Sequence, residues 1–134
     1  GRALLHQTWR AVLDCWPPKA VKLPVSPLAG LTSITAYDAD GTAHPLDPGQ
    51  FQIEANPARL LLPAVLNGMP VLRERQGIEI DYTAGHGSEA GDVPADLRQA
   101  LLVLVAAWFE NRDSAAGFPV AVEQLLASYR SIRL

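Results

Sequence analysis

Residues 94–112, PADLRQALLVLVAAWFENR, are the one segment of this chain that cannot be left in water. Pro94 suits a first helical position, where its missing N–H costs nothing. Asp96 faces the positive end of the helix dipole and Arg112 lies near the negative end. Asn111, Asp113, Ser114 and Gly117 then close the segment. Leu97, Leu101, Leu104, Val105 and Trp108 share one helical stripe, while Leu102, Val103, Ala106 and Phe109 fill much of the remaining circumference. A helix apolar on every side must be wrapped, either by its own domain or by neighbouring copies. The seven large apolar side chains of residues 100–109 are each worth roughly 1.5 to 3 kcal/mol when fully buried, so leaving half exposed forfeits roughly 5 to 10 kcal/mol. That equals the whole stability of a typical domain. The uncharged run of residues 100–109 is far below the roughly 18 residues a bilayer needs, which argues against a membrane span.

The whole chain of 134 residues fits one domain with a real core, 49% hydrophobic and 19% charged, as globular proteins are. A formal net charge of -3 argues against a generally basic nucleic-acid binder. The single cysteine, Cys15, excludes an internal disulfide and is compatible with reduced cytoplasmic folding. Gly1-Arg2-Ala3 carries neither an initiator Met nor a signal pattern, as expected of a processed or trimmed form.

The first two thirds read as strands. Residues 6–16 alternate, with Trp9, Ala11, Leu13 and Cys15 toward the interior and Thr8, Arg10 and Asp14 outward. Residues 19–23 give a short extended piece, and the proline-rich run of residues 23–28 reads as a connector, neither helix nor central strand. Residues 31–37 and 42–46 flank the turn Asp38-Ala39-Asp40-Gly41 as a hairpin. Asp47-Pro48-Gly49 is a further turn. Phe51 and Ile53 alternate with Gln52 and Glu54, and residues 59–62 offer another strand. Ile78, Ile80, Tyr82 and Ala84 point one way and Glu79, Asp81 and Thr83 the other. Residues 63–76 lack periodicity and read as a long loop. After the main helix, Val122, Leu125, Leu126 and Tyr129 recur at helical spacing. The expected fold class is therefore α+β: a small antiparallel β-sheet with hairpins, then a long apolar α-helix and a short C-terminal helix. It forms one domain over residues 1–134, β-rich over 1–85 and helical over 92–134.

Chemistry is sparse. Asp38-Ala39-Asp40-Gly41 lacks the third ligand and the distal Glu of a calcium loop, and reads as a plain turn. Gly85-His86-Gly87-Ser88 is not a nucleophile elbow. His6, His44 and His86 lie on separate elements with no metal-ligand spacing. Cys15 reads as a small inert core residue, and Glu79 with Asp81 as the solvated side of a sheet. No catalytic, cofactor or metal site is expected. Trp108, Phe109 and Arg112 are the residue types favoured as interface anchors.

Several stretches together resemble the head-tail connector, or adaptor, family of tailed phages, in particular its gene transfer agent members. They are Gly1-Arg2-Ala3-Leu4-Leu5-His6-Gln7-Thr8-Trp9, Leu23-Pro24-Val25-Ser26-Pro27-Leu28 followed by Leu31-Thr32-Ser33-Ile34, Asp38-Ala39-Asp40-Gly41, Tyr82-Thr83-Ala84-Gly85-His86-Gly87, and Val93-Pro94-Ala95-Asp96-Leu97-Arg98-Gln99-Ala100-Leu101-Leu102 through Trp108-Phe109-Glu110-Asn111-Arg112. Each is weak alone, but their order covers nearly the whole chain. By the resemblance, the family's helical region ahead of Gly1-Arg2 is expected to be absent from this chain.

The resemblance implies a non-enzymatic structural subunit, without cofactor, that forms a ring, usually dodecameric, at the neck of a phage-like particle. The ring would sit below the portal and join the filled head to a stopper or tail-terminator protein, with DNA only as passing cargo and no membrane. Such particles assemble in the bacterial cytoplasm. Leu101, Leu104, Trp108, Phe109 and Arg112 would then meet neighbouring copies, and Tyr129, Arg130, Ile132, Arg133 and Leu134 would meet the portal. The rival reading is a small monomeric or dimeric α+β enzyme or ligand-binding module, which would need His86, Asp81 and Tyr82 in one closed pocket.

Overall fold

Strict alternation makes Ile78–Ala84, here β7, the spine of the larger sheet: Ile78, Ile80, Tyr82 and Ala84 are all fully buried, and the residues between them half-buried. The computed structural model describes residues 1–110 and 119–130, which divide into two units, Gly1–Ser88 and Glu89–Leu134.

In the first unit β7 is flanked by β1 (Gln7–Leu13) and β3 (Leu28–Tyr37), and β4 (Ala43–Leu46) completes the order β1-β7-β3-β4. Every pairing is antiparallel. The register places Ile80 between Ala11 and Ile34, and Tyr82 between Trp9 and Leu31. A second antiparallel sheet runs β2 (Ala20–Lys22), β6 (Arg59–Leu61), β5 (Gln52–Glu54). Val21, Leu60 and Phe51 join Ile34, Ile78, Ile80 and Tyr82 in one core. The expected hairpin forms, since Tyr37 pairs with Ala43 across the Asp38 turn. Asp38 organises that turn by accepting from the Asp40 and Thr42 N–H groups at 3.0 and 2.9 Å. Residues 62–77 run without a named strand, and Leu62, Leu66, Met69 and Leu72 fasten them to the core.

Three strand expectations change. Trp9 lies on the core side of β1 yet is 40% exposed, because β1 is an edge strand and the indole overhangs it. Cys15 is exposed rather than interior: β1 ends at Leu13, two residues before it, so the alternation no longer governs it. Leu28 opens the interior strand β3 instead of closing a connector, and its backbone N–H donates to Ala55 at 2.9 Å.

The core carries one polar anchor. The Val25 N–H donates to the Tyr82 hydroxyl at 3.3 Å, and that phenol is fully buried. Tyr82→Phe leaves the buried N–H unpaired, so denaturant unfolding is expected to show a loss of about 1 to 3 kcal/mol. An unchanged midpoint would contradict this pairing.

In the second unit α1 spans Ala95–Glu110 and α2 spans Val120–Leu126, packed on one another and followed by a 3₁₀ turn at Ala127–Tyr129. The expectation of a long apolar helix is not supported, because α1 has 16 residues. Pro94 sits just before it and has no N–H to continue the ladder upstream. Asp96, Arg98, Gln99 and Glu110 confine the apolar run to its middle.

Candidate assembly surface

The start of α1 is built by local bonds. The Pro94 carbonyl accepts from the Arg98 N–H at 3.0 Å, and Arg98 Nε donates to the Val93 carbonyl at 3.1 Å. Leu97 and Ala100 are the buried residues of α1, and Val122 is that of α2. At about 100° per residue, these α1 positions occupy one side of the helix. Leu101, Leu102, Val105, Trp108 and Phe109 fall on an adjoining stripe about 120° wide, and they are 43 to 69% exposed. Leu104 falls on the buried side, between Leu97 and Ala100, and is half-buried. Five large apolar side chains at those exposures present a patch on the order of 500 Å², at the upper end of what a monomer leaves in water. Its pattern (i, i+1, i+4, i+7, i+8) is that of one continuous apolar face of a helix. Arg112 lies outside the described residues.

The end of α2 is tied back to the start of α1. The Tyr129 hydroxyl donates to Asp96 Oδ1 at 2.6 Å, and that bond holds the Asp96 carboxyl below its usual range. Nothing in the spacing of residues 96 and 129 signals this pair. It assigns Tyr129 a bond within its own unit, whereas Arg130 is exposed. Ile132, Arg133 and Leu134 lie outside the described residues. Because the folded carboxyl titrates below its unfolded value, its contribution is present above the ordinary carboxylate range and is lost as pH falls through the folded value. The melting-temperature gap between the parent and Tyr129→Phe should thus be largest near neutral pH and shrink below about pH 4. A gap independent of pH would contradict the bond.

The outer face of the larger sheet is a closed electrostatic ladder. Arg10 donates to Asp81 through Nε at 2.7 Å and through its terminal nitrogen at 2.9 Å, and lies 3.6 Å from Glu79. Ser33 donates to Asp81, and the Tyr37 hydroxyl to Glu79 at 3.0 Å. The guanidinium keeps Asp81 ionised below its usual range, while Glu79 pushes the Tyr37 phenol up. Arg73 caps the end, 4.4 Å above the Tyr37 ring. These carboxylates are consumed in pairing. The pocket required for the enzyme reading does not form, because Asp81 and Tyr82 are consecutive strand residues that point to opposite faces. Asp38 is likewise occupied, since His44 Nε2 lies 2.8 Å from Oδ2 and holds the carboxyl below its usual range.

Comparison with solved structures places this arrangement. The chain aligns with a chain of the virion of a native gene transfer agent (GTA) particle at 31% identity and TM-score 0.78, covering 99% of this chain and 69% of that one. It aligns with a chain from the neck of a native GTA particle computed with C12 symmetry at 32% identity and TM-score 0.77, covering 99% and 74%. A chain from the neck of an empty GTA particle computed with C6 symmetry matches at 31% identity and TM-score 0.77, covering 99% and 70%. No protein-family model matches the chain, and no curated protein shows a significant match. Fold and likeness together define a structural component of a phage-like particle. The chain belongs to the family of gene transfer agent head-tail neck proteins.

Proposed function

We propose that this chain is the connector, or adaptor, subunit of the neck: copies form a ring below the portal and join the filled head to the next neck or tail component, with DNA as passing cargo. Likeness over 99% of the chain to neck chains at 31 to 32% identity carries this reading. The cyclic symmetry of those necks supports a homo-oligomeric ring, of twelve copies by the C12 case. In such a ring Leu101, Leu102, Leu104, Val105, Trp108 and Phe109 meet the neighbouring copy, with Arg112 just beyond, which gives the apolar stripe of α1 the cover its own unit leaves incomplete. Arg130 and the residues after it would face the portal, with Tyr129 anchoring that end to α1 through Asp96. The portal, the stopper or terminator and assembly in the bacterial cytoplasm complete the proposal.

A joining assay of tails to filled heads tests the role. Deleting residues 130–134 should abolish joining while the purified chain still folds. His86→Ala should join as the parent does. If His86→Ala blocks joining and the deletion does not, the assignment of the portal-facing end is wrong.

A further inference from the structure

Residues 62–77 run without a named strand, yet they are fastened at several points. Leu66, Met69 and Leu72 pack on the core, and Met69 Sδ accepts from Trp16 Nε1 at 3.0 Å. Between Leu66 and Met69 the turn Asn67-Gly68 is exposed, with Gly68 in the left-handed region at φ 79°. Gln50, at the end of the 3₁₀ turn Pro48–Gln50, clips that turn in place. Its side-chain oxygen accepts from the Asn67 N–H at 2.8 Å, and its Nε2 donates to the Asn67 carbonyl at 3.2 Å. Both backbone groups of Asn67 are thus held. Its own carboxamide and the Gly68 N–H make no hydrogen bond among the described residues. An exposed asparagine amide beside an unoccupied glycine N–H is a self-reactive pair, because glycine has no Cβ to obstruct the approach of its nitrogen, and asparagine is a thermolabile residue.

We propose that Asn67 is a site of spontaneous covalent modification and that Gln50 is the positioning residue that restrains it. The Gly68 nitrogen attacks Asn67 Cγ. An N–Cγ bond forms, the Cγ–Nδ2 bond breaks, and Nδ2 departs as ammonia with the Gly68 proton. Water then opens the cyclic imide: addition at Cγ leaves aspartate, and addition at the main-chain carbonyl carbon leaves isoaspartate. Nothing is oxidised or reduced, and water is the one co-reactant. Ring closure requires rotation about the Cα–C bond of Asn67, and the Gln50 clip opposes it because the Asn67 carbonyl turns with that bond. Conversion therefore proceeds through the fraction of molecules in which the clip is open. The change is one-way. Isoaspartate places an extra main-chain carbon between the N–H and the C=O that Gln50 bridges, so the clip no longer fits, and either product adds a negative charge to the turn.

The purified chain, incubated at mildly alkaline pH in native buffer and in urea, tests this by peptide mass spectrometry. Asn67 should convert at least roughly tenfold more slowly in native buffer than in urea. Gln50→Ala should raise the native rate at least roughly tenfold, toward a urea rate that both chains share. Gln50→Glu keeps an acceptor for the Asn67 N–H but sets an oxygen against the Asn67 carbonyl. It should also convert faster than the parent, and it carries the same test if Gln50→Ala does not fold. Asn56 is the internal control and should stay intact, because Pro57 offers no N–H to attack. Three results would each overturn the inference: no conversion of Asn67 in urea, equal parent rates in buffer and urea, or folded Gln50 variants that convert at the parent's rate.

Discussion

Trp108→Ser is expected to convert the proposed ring of this chain to monomers while leaving the monomer's fold intact. The indole is 58% exposed in the isolated chain, so its removal opens no interior cavity, and an exposed substitution of this kind shifts unfolding by about 0.5 kcal/mol or less. In the proposed ring the same indole would lie within an apolar contact, where truncating a Trp anchor costs about 2 to 4 kcal/mol. That is roughly a 30-fold to 1,000-fold weakening at each interface, and it recurs at every junction of the ring. Native mass of parent and variant, read beside their denaturant curves, checks both halves. A variant that unfolds far more easily would show Trp108 to be an interior residue. One that still forms the parent's oligomer would remove α1 from the interface.

Gly85→Ala is expected to be the most damaging single substitution in the first unit. Gly85 ends β7 at φ 126°, a backbone conformation L side chains rarely adopt. Its N–H donates to the Pro27 carbonyl at 2.9 Å, which locks it in place. A Cβ there would collide with the carbonyl of Leu5 and come within 2.7 Å of the His6 N. Both are backbone atoms, held by the bonds His86 N–H to Leu4 and His6 N–H to Gly87, so neither can swing aside. Overpacking and an unfavourable φ together cost roughly 2 to 6 kcal/mol. Gly91→Ala is the control, because a Cβ there meets nothing within 4 Å, and its unfolding midpoint should match the parent's. Equal midpoints for the two variants would mean that the chain does not cross itself at Leu5 and Gly85.

These positions show what the amino-acid order reveals and what it hides. Period-two alternation announced β7, and the Asp38-Gly41 turn announced the hairpin, because both signals are local. The apolar character of residues 100–109 announced a helix in need of cover, and of that run Leu101, Leu102, Val105, Trp108 and Phe109 stay exposed on α1. The collision partner of Gly85 was illegible, since it is brought in from 80 residues earlier by pairing. The Tyr129–Asp96 bond was hidden for the same reason, as a contact between helices. Trp9 faces the side that alternation gives it, but burial depends also on whether the strand is an edge, and Cys15 is exposed because the strand stops before it. α1 is shorter than the long apolar helix expected, because apolarity marks only its middle. Glu79 and Asp81 read as the solvated side of a sheet, and only the register of β1, β7 and β3 reveals them as one ladder with Arg10.

A symmetric reconstruction of the particle neck carrying this chain decides whether sister copies shield α1. A ring in which Leu101, Val105 and Trp108 of each copy lie against the adjacent copy is the expected result. A ring that leaves those side chains facing water, or a neck from which the chain is missing, would contradict it.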